Sequence, residues 1–341
     1  MKRWGLLIFR SCMLLFGALL VWGLYYYDRD YADTFQERRG SLMETSAEYR
    51  GADSLGERYW IRLRSSSGLN VLCGALVPPQ KVPGTKYPAV VLLGGKATGK
   101  YAVDYAMDLR DVILVALDYP YEPRVNYTAA GFVSDIPEIR QAVFDMFPSV
   151  MLVVDYLRTR VDVDTTRMVM LGYSFGAPFV PCVVAHERRF AAAAIVFGGG
   201  GLRTMIGHNV RRYEGALAGE VAGLIGGFLL GPVEPLRYAG RISPIPLVMI
   251  NGTADEQIPR VNAELLFGAA AEPKTITWIE SQHVHPRNVE LTRKIIGTLK
   301  NEMGRLGILT QVKERQTDRR GQVVRRSAAP RVSSERSHLP K

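Results

Sequence analysis

Short apolar runs recur along the middle of this chain, at residues 89–93, 112–117, 168–171, 192–197, 247–250 and 275–279, with helix-compatible segments between most of them. The runs are nearly continuous in Val, Ile, Leu, Met and Ala, which is how strands buried on both faces read. Their alternation with helical segments predicts an α/β class, a mainly parallel twisted sheet with helices on both faces. Two earlier runs, 58–63 and 69–76, flank Ser65-Ser66-Ser67-Gly68 and predict an antiparallel hairpin. Upstream of the run at 168–171, Ile139, Val143, Phe147, Val150, Val154 and Leu157 return at steps of three and four. That period marks one face of a helix, with a kink or break at Pro148.

Three stretches depart from this rhythm. From Trp4 to Tyr25 the chain is apolar except for Arg10, long enough as a helix to cross about 30 Å of hydrocarbon. Residues 1–27 therefore read as a transmembrane signal anchor, with a cleaved signal peptide as the alternative. No small-x-small cleavage pattern follows, whereas Trp22 and Tyr25-Tyr26-Tyr27 suit a membrane interface. Lys2, Arg3 and Arg10 on the cytoplasmic side would leave the rest of a single-pass chain facing outward; a cleaved signal would instead give a secreted protein. Residues 28–57 read as a linker and 58–305 as one globular domain.

Within that domain, about 198–242 reads as a small cap insertion. It opens on four consecutive glycines, and its segment from Gly215 to Gly231 carries Glu220 as its one charge. Its apolar surface needs cover. It reads as a cap over the pocket, with Leu224 as a candidate substrate contact, as a segment packed on the core, or as a second membrane contact. Beyond Leu306 lie nine Lys or Arg against three Asp or Glu among Gln, Ser and Pro. That composition predicts a basic, disordered tail over 306–341 with no identified partner. The tail carries much of the net charge of +10 over 341 residues. The globular part is mildly basic, and nothing in it suggests a nucleic-acid fold. Cys12, Cys73 and Cys182 have no metal-site spacing, and the latter two sit among apolar neighbours.

The chemistry is concentrated at Gly172-Tyr173-Ser174-Phe175-Gly176, where a buried strand meets a helix. Glycine on each side of Ser174 removes the Cβ atoms that would clash as the backbone reverses. A serine hydroxyl needs a base, and the base needs an acid to fix its tautomer. Asp255 lies in the loop leaving the run 247–250, with Glu256 as a rival. His283 and His285 lie in the loop leaving 275–279, and either can be the base, with His285 constrained by Pro286. Each candidate follows a predicted strand, in the order serine, acid, histidine.

With these motifs, residues 59–303 resemble the α/β-hydrolase superfamily, most nearly its serine esterases of dienelactone-hydrolase-like and peptidase-like type. The departures are Gln282, where relatives usually have glycine before the histidine, and Gly94, where they often have histidine. The resemblance implies an oxyanion hole from the backbone amide of Phe175 and that of Lys96 or Gly95 in the loop after 89–93. It implies a small-molecule acyl substrate, no cofactor and no metal. Tyr119 and Tyr121, past the run 112–117, are placed at the carboxyl edge of the sheet as candidate pocket residues. The expected activity is carboxylic ester hydrolysis through an acyl-enzyme. Peptidase or acyltransferase activity, or a silent binding protein on the same fold, stay open.

Overall fold

The structure is a computed structural model and describes residues 2–79, 84–95, 98–105, 109–121, 129–285 and 287–309. The chain opens with helix α1 (Lys2–Asp28), followed by α2 (Ala32–Arg39). Strands β1 (Leu42–Asp53), β2 (Gly56–Ser65) and β3 (Asn70–Val77) follow as an antiparallel meander. Next come β4 (Tyr87–Leu93), a 3₁₀ turn at Gly99–Tyr105, β5 (Ile113–Leu117) and α3 (Ala129–Thr159). Strand β6 (Val163–Tyr173) leads through a 3₁₀ turn, Ser174–Gly176, into α4 (Phe179–His186), and then β7 (Ala192–Val196). The insertion forms α5 (Leu202–Glu214), α6 (Ala216–Leu229) and α7 (Pro235–Ala239). The chain continues with β8 (Leu247–Gly252), α8 (Arg260–Ala269), β9 (Lys274–Ile279) and α9 (Val289–Arg305).

Among the described residues, nine strands lie in the order β1-β2-β3-β5-β4-β6-β7-β8-β9. From β5 to β9 every neighbouring pair is parallel, as the apolar runs predict. After β5 the chain crosses over β4 to lay down β6 on its other side, so the winding direction reverses at β4. In open α/β sheets the strand ends diverge at such a reversal and leave a crevice at the carboxyl edge.

Alternate side chains of each central strand feed two cores. Ala89, Val91 and Leu93 of β4 pack with residues of α2, α3, α4 and α7. Val90 and Leu92 pack on the other face with α9 and with Ala102 and Val103. The helix face read before β6 is this packing surface: Phe147, Val150, Val154 and Leu157 are buried. Helix α3 runs through Pro137 and Pro148 as one element, so of the kink or break expected at Pro148 there is no break.

The stretch read as a linker, 28–57, is instead structured, and the sheet begins at Leu42, ahead of residue 58. Phe35 of α2 is 1 % exposed and packs on Phe147 and Phe144 of α3, and Arg38 makes a two-pronged ion pair with Asp145, at 2.8 Å on each oxygen. Strand β1 buries no face: it is an edge strand of Glu, Ser, Thr and Arg held by backbone pairing to β2. It therefore lacks the apolar alternation from which strands are read. Past α9, Ile308 and Leu309 fold back, their amides donating to Met303 O, and are buried. The rest of the basic tail lies outside the described residues.

Candidate active site

The turn after β6 is forced by contact with β4. A Cβ on Gly176 would sit 2.1 Å from the Leu93 carbonyl oxygen, and one on Gly172 would lie 2.4 Å from Val180 Cγ2 and 2.7 Å from Gly176 O. No other residue fits either position. Ser174 at the apex has φ +53, a left-handed conformation that costs a non-glycine residue roughly 1–3 kcal/mol. The amide of Ala177 donates to Ser174 O at 3.0 Å, closing the 3₁₀ turn into α4.

Two further loops meet this apex. The one leaving β8 is pinned to the one leaving β9 by backbone bonds: Thr253 N donates to Ile279 O at 2.9 Å and Ala254 N to Ser281 O at 3.0 Å. Asp255 Oδ1 then accepts from the amides of Gln257 and Ile258, at 2.8 and 2.9 Å. These bonds fix the carboxylate so that His283 Nδ1 lies 2.9 and 2.8 Å from its two oxygens. His283 Nε2 lies 2.7 Å from Ser174 Oγ. Both partners are nearly sealed from solvent, at 4 % exposure for His283 and 2 % for Asp255. An ionised carboxylate can accept but not donate, so the network assigns the proton to Nδ1 and leaves the Nε2 lone pair facing the serine hydroxyl. Such a chain can take a proton from Ser174 Oγ while the carboxylate stabilises the imidazolium.

The alternatives from the sequence separate cleanly. His285 is exposed, and its Nδ1 accepts from the amide of Arg287 at 3.2 Å, away from Ser174. Glu256 does not face the imidazole ring; its Oε2 accepts from the backbone amide of His283 at 3.0 Å. Burial opposes its ionisation, but backbone amides, that of His283 foremost, prevail and hold its carboxyl below the usual glutamate range.

Around the apex, Phe175 sets its ring edge-on to Tyr119, centroids 5.0 Å apart, and also touches Phe179 at 6.0 Å. The Tyr119 hydroxyl donates to Gly94 O, so this residue ties the loop after β4 to the turn after β6. Burial pushes its phenol well above the ordinary tyrosine value, keeping it a donor. Gly95 O accepts from both the amide and the hydroxyl of Thr98, at 3.0 and 2.9 Å. Lys96 lies outside the described residues. Tyr121 does not join the triad residues: its hydroxyl donates to Asp135 Oδ2 at 3.1 Å, on α3. Leu224 is not brought to Ser174 either; it is half-exposed on the face of α6 turned away from α5.

Three further residues support the site through contacts that the sequence did not show. Phe197, with φ +52 just past β7, sets its ring against His283 at 5.5 Å and 86°. His208 Nε2 donates to Glu256 O at 3.0 Å, and Asn209 Nδ2 to Gln257 O at 2.8 Å, joining α5 to the loop of Asp255. No local motif marks such residues, because each acts through a contact far away in the sequence.

A parallel sheet that reverses its winding at β4, with a serine at the sharp turn after β6 and an acid and a histidine in the loops after β8 and β9, is the α/β-hydrolase fold. Solved structures agree. The chain aligns with acetyl xylan esterase 1 from Thermoanaerobacterium sp. JW/SL YS485 at a TM-score of 0.59 and 15% identity, over 81% of this chain and 93% of that one. It also aligns with a puromycin-hydrolyzing peptidase of Mycobacterium tuberculosis at 0.55 and 18%, over 78% of this chain and 46% of that one. Among curated sequences, the Salmonella typhi protein YfhR is 31% identical over 137 residues. That match covers 38% of this chain and 45% of YfhR, so the chain matches less than half the length of this relative. No family profile matches the chain.

Gly176→Ala should destabilise the folded chain by at least about 2 kcal/mol, since the added methyl meets a backbone carbonyl that cannot rotate away. Gly297→Ala, inside α9 with open space at its Cβ, should instead be neutral or stabilising by up to about 1 kcal/mol. Thermal melts of the purified variants read both. Equal melting temperatures for Gly176→Ala and the parent would mean the turn is not held against β4.

Proposed function

We propose that this chain is a membrane-anchored serine hydrolase that cleaves a carboxylic ester or related acyl substrate through an acyl-enzyme. The observation that carries this reading is the continuous hydrogen-bonded path from Ser174 Oγ through His283 to Asp255. Ser174 Oγ attacks the acyl carbon, and its proton passes to His283 Nε2. Asp255 stabilises the imidazolium. The carbonyl oxygen becomes an oxyanion, received by the amide of Phe175 and that of Lys96 or Gly95. As the tetrahedral intermediate collapses, the bond to the leaving oxygen breaks, and that oxygen takes the proton from His283. Water then attacks the acyl-serine, gives a proton to His283, and the second collapse returns it to Ser174 Oγ.

The structural neighbours support hydrolysis as the reaction type, since they include esterases and a peptidase on the same fold. An ester substrate is favoured over a peptide because, among the described residues, no charged pair is placed beside the triad to receive a peptide terminus. The silent-protein reading is disfavoured by the alignment of all three groups within hydrogen-bonding distance.

Membrane anchoring rests on α1, whose window Phe9–Asp28 is long and apolar enough to cross a bilayer. The same window suits a signal sequence, but its end packs into the folded domain. The Tyr26 hydroxyl donates to Leu229 O at 2.7 Å and accepts from Arg140 Nε at 2.7 Å. The Tyr27 ring fills the space where a Cβ on Gly231 would lie, 2.1 Å away, and Arg237 donates to Tyr27 O. Cleavage after Tyr27 would remove these contacts and uncover the side of Tyr31 on which the Tyr26 ring lies, 6.3 Å away. This favours a retained anchor, with the hydrolase domain outside a membrane whose inner side faces Lys2 and Arg3.

A fluorophosphonate probe should label the native chain and leave Ser174→Ala unlabelled. His283→Ala should lower turnover of an aryl ester by about three orders of magnitude or more, whereas His285→Ala should stay within about threefold of the parent. Labelling of both proteins alike, or a dead His285→Ala beside an active His283→Ala, would contradict the assignment. The anchor is checked separately: the mature protein should resist alkaline carbonate extraction and keep its N-terminal sequence. A mature N-terminus beyond Tyr25 would identify a cleaved signal instead.

A further inference from the structure

Helix α6 is built with two unlike faces. Gly219, Gly223, Gly226 and Gly227 lie against α5: a Cβ on Gly219 would be 2.7 Å from Gly207 O, and one on Gly223 2.6 Å from Arg203 O. The glycines let the two helices approach to backbone contact. On a period of 3.6 residues the opposite face carries Leu217, Val221, Leu224 and Phe228, with Ile225 beside them. All five are exposed, Leu217 by 80 %. Glu220, the charged residue of α6, is drawn to Arg211 of α5 at 2.5 Å. A continuous aliphatic stripe of this length is a surface that water does not tolerate without a partner.

The end of the stripe shows what lies beside it. Phe228 belongs to the stripe and also packs on α1: its ring lies 5.6 Å from that of Tyr26, and a Cβ on Gly23 would be 3.6 Å from it. Tyr26 in turn stacks on Trp22 at 5.6 Å and bonds Leu229 O. Trp22 to Tyr27 form the aromatic end of the candidate span, the composition that settles at a lipid–water boundary. The last turn of α6 is thus fixed beside the aromatic end of α1, the level at which the proposed anchor would leave a bilayer.

We propose that the exposed stripe of α6 is a second contact with the bilayer that α1 enters, with α6 lying in the lipid interface and burying Leu217, Val221, Leu224, Ile225 and Phe228 among the acyl chains. The proposal rests on the reading of α1 as a retained anchor. Helix α6 has 14 residues, about 21 Å, too short to span. The segment after it, Gly231–Ala239, turns away by 68° and buries Pro232, Val233, Tyr238 and Ala239 in the protein, so it does not complete a crossing. Arg203, Arg211 and Arg212 are exposed on α5, and Tyr213 stands exposed at the hairpin tip. Cations and an aromatic flanking an apolar face are what an in-plane interfacial element presents to headgroups. Through His208 and Asn209 the same hairpin holds the loop of Asp255, so the lipid contact is joined to the site by two hydrogen bonds.

The test uses the full chain with Cys12→Ser, reconstituted in phosphatidylcholine vesicles, Cys73 and Cys182 being buried. An environment-sensitive NBD label is placed at Leu217→Cys, at Val221→Cys, and at Val161→Cys, which is 87 % exposed in the turn between α3 and β6. Nitroxide-bearing lipid should quench the labels at 217 and 221 at least threefold more than the label at 161. Equal, water-like emission at all three sites would overturn the proposal. So would labels at 217 and 221 that iodide cannot reach but nitroxide lipid does not quench, the pattern of a second copy covering the stripe. Vesicle flotation separates the two readings: a chain that does not float sinks the anchor and the contact together, whereas one that floats with aqueous labels sinks the contact alone. Hydrolysis of a water-soluble aryl ester by each labelled chain reports folding, and its loss from the parent as well would count against the proposed reaction without altering the quenching result.

Discussion

The backbone of Gly176 runs so close to the carbonyl of Leu93 that no side chain fits between them, and the site depends on this contact. Strands β4 and β6 are parallel neighbours, paired as far as Leu93 with Gly172. They are also the strands between which the sheet reverses its winding. A turn pressed against β4 holds Ser174 over the crevice that the reversal opens, next to the loop carrying Gly94 and Gly95. The cost is a serine in a left-handed conformation and two positions closed to every residue but glycine. The buried strands on both sides offset that cost.

From this fixed point the remaining parts are placed by backbone. Loops leaving adjacent strands β8 and β9 are joined by two amide–carbonyl bonds, and Glu256 adds a third tie to the amide of His283. Asp255 is oriented by two amides before it meets the imidazole. Under the proposed reaction, preorganisation of this kind leaves little to move when charge develops on His283. Tyr119 plays the same part on the other side, linking the β4 loop to the ring of Phe175.

The parallel sheet and the triad candidates were legible because their signals are local. A buried strand is a run of aliphatic residues, and an elbow is a serine between glycines at the end of one. The choice between His283 and His285 was not local; it depends on which side chain the β9 loop turns toward Phe197 and Asp255. Strand β1 was read as a linker because an edge strand that buries neither face has no hydrophobic period, and α2 because a single Phe35 does its packing. The insertion was recognised as apolar, but its direction was misjudged. Leu224 was expected to face the pocket, whereas the glycines of α6 fix which face meets α5 and turn Leu224 outward.

The account stands on a covalent intermediate at one oxygen atom. Mass spectrometry of the full chain, acid-quenched milliseconds into turnover of an activated aryl ester and digested, measures it directly. A mass increase equal to the acyl group, confined to the peptide that contains Ser174 and absent from Ser174→Ala, is the predicted result. Undiminished ester turnover by Ser174→Ala, or an acyl adduct that maps to another residue, would contradict it.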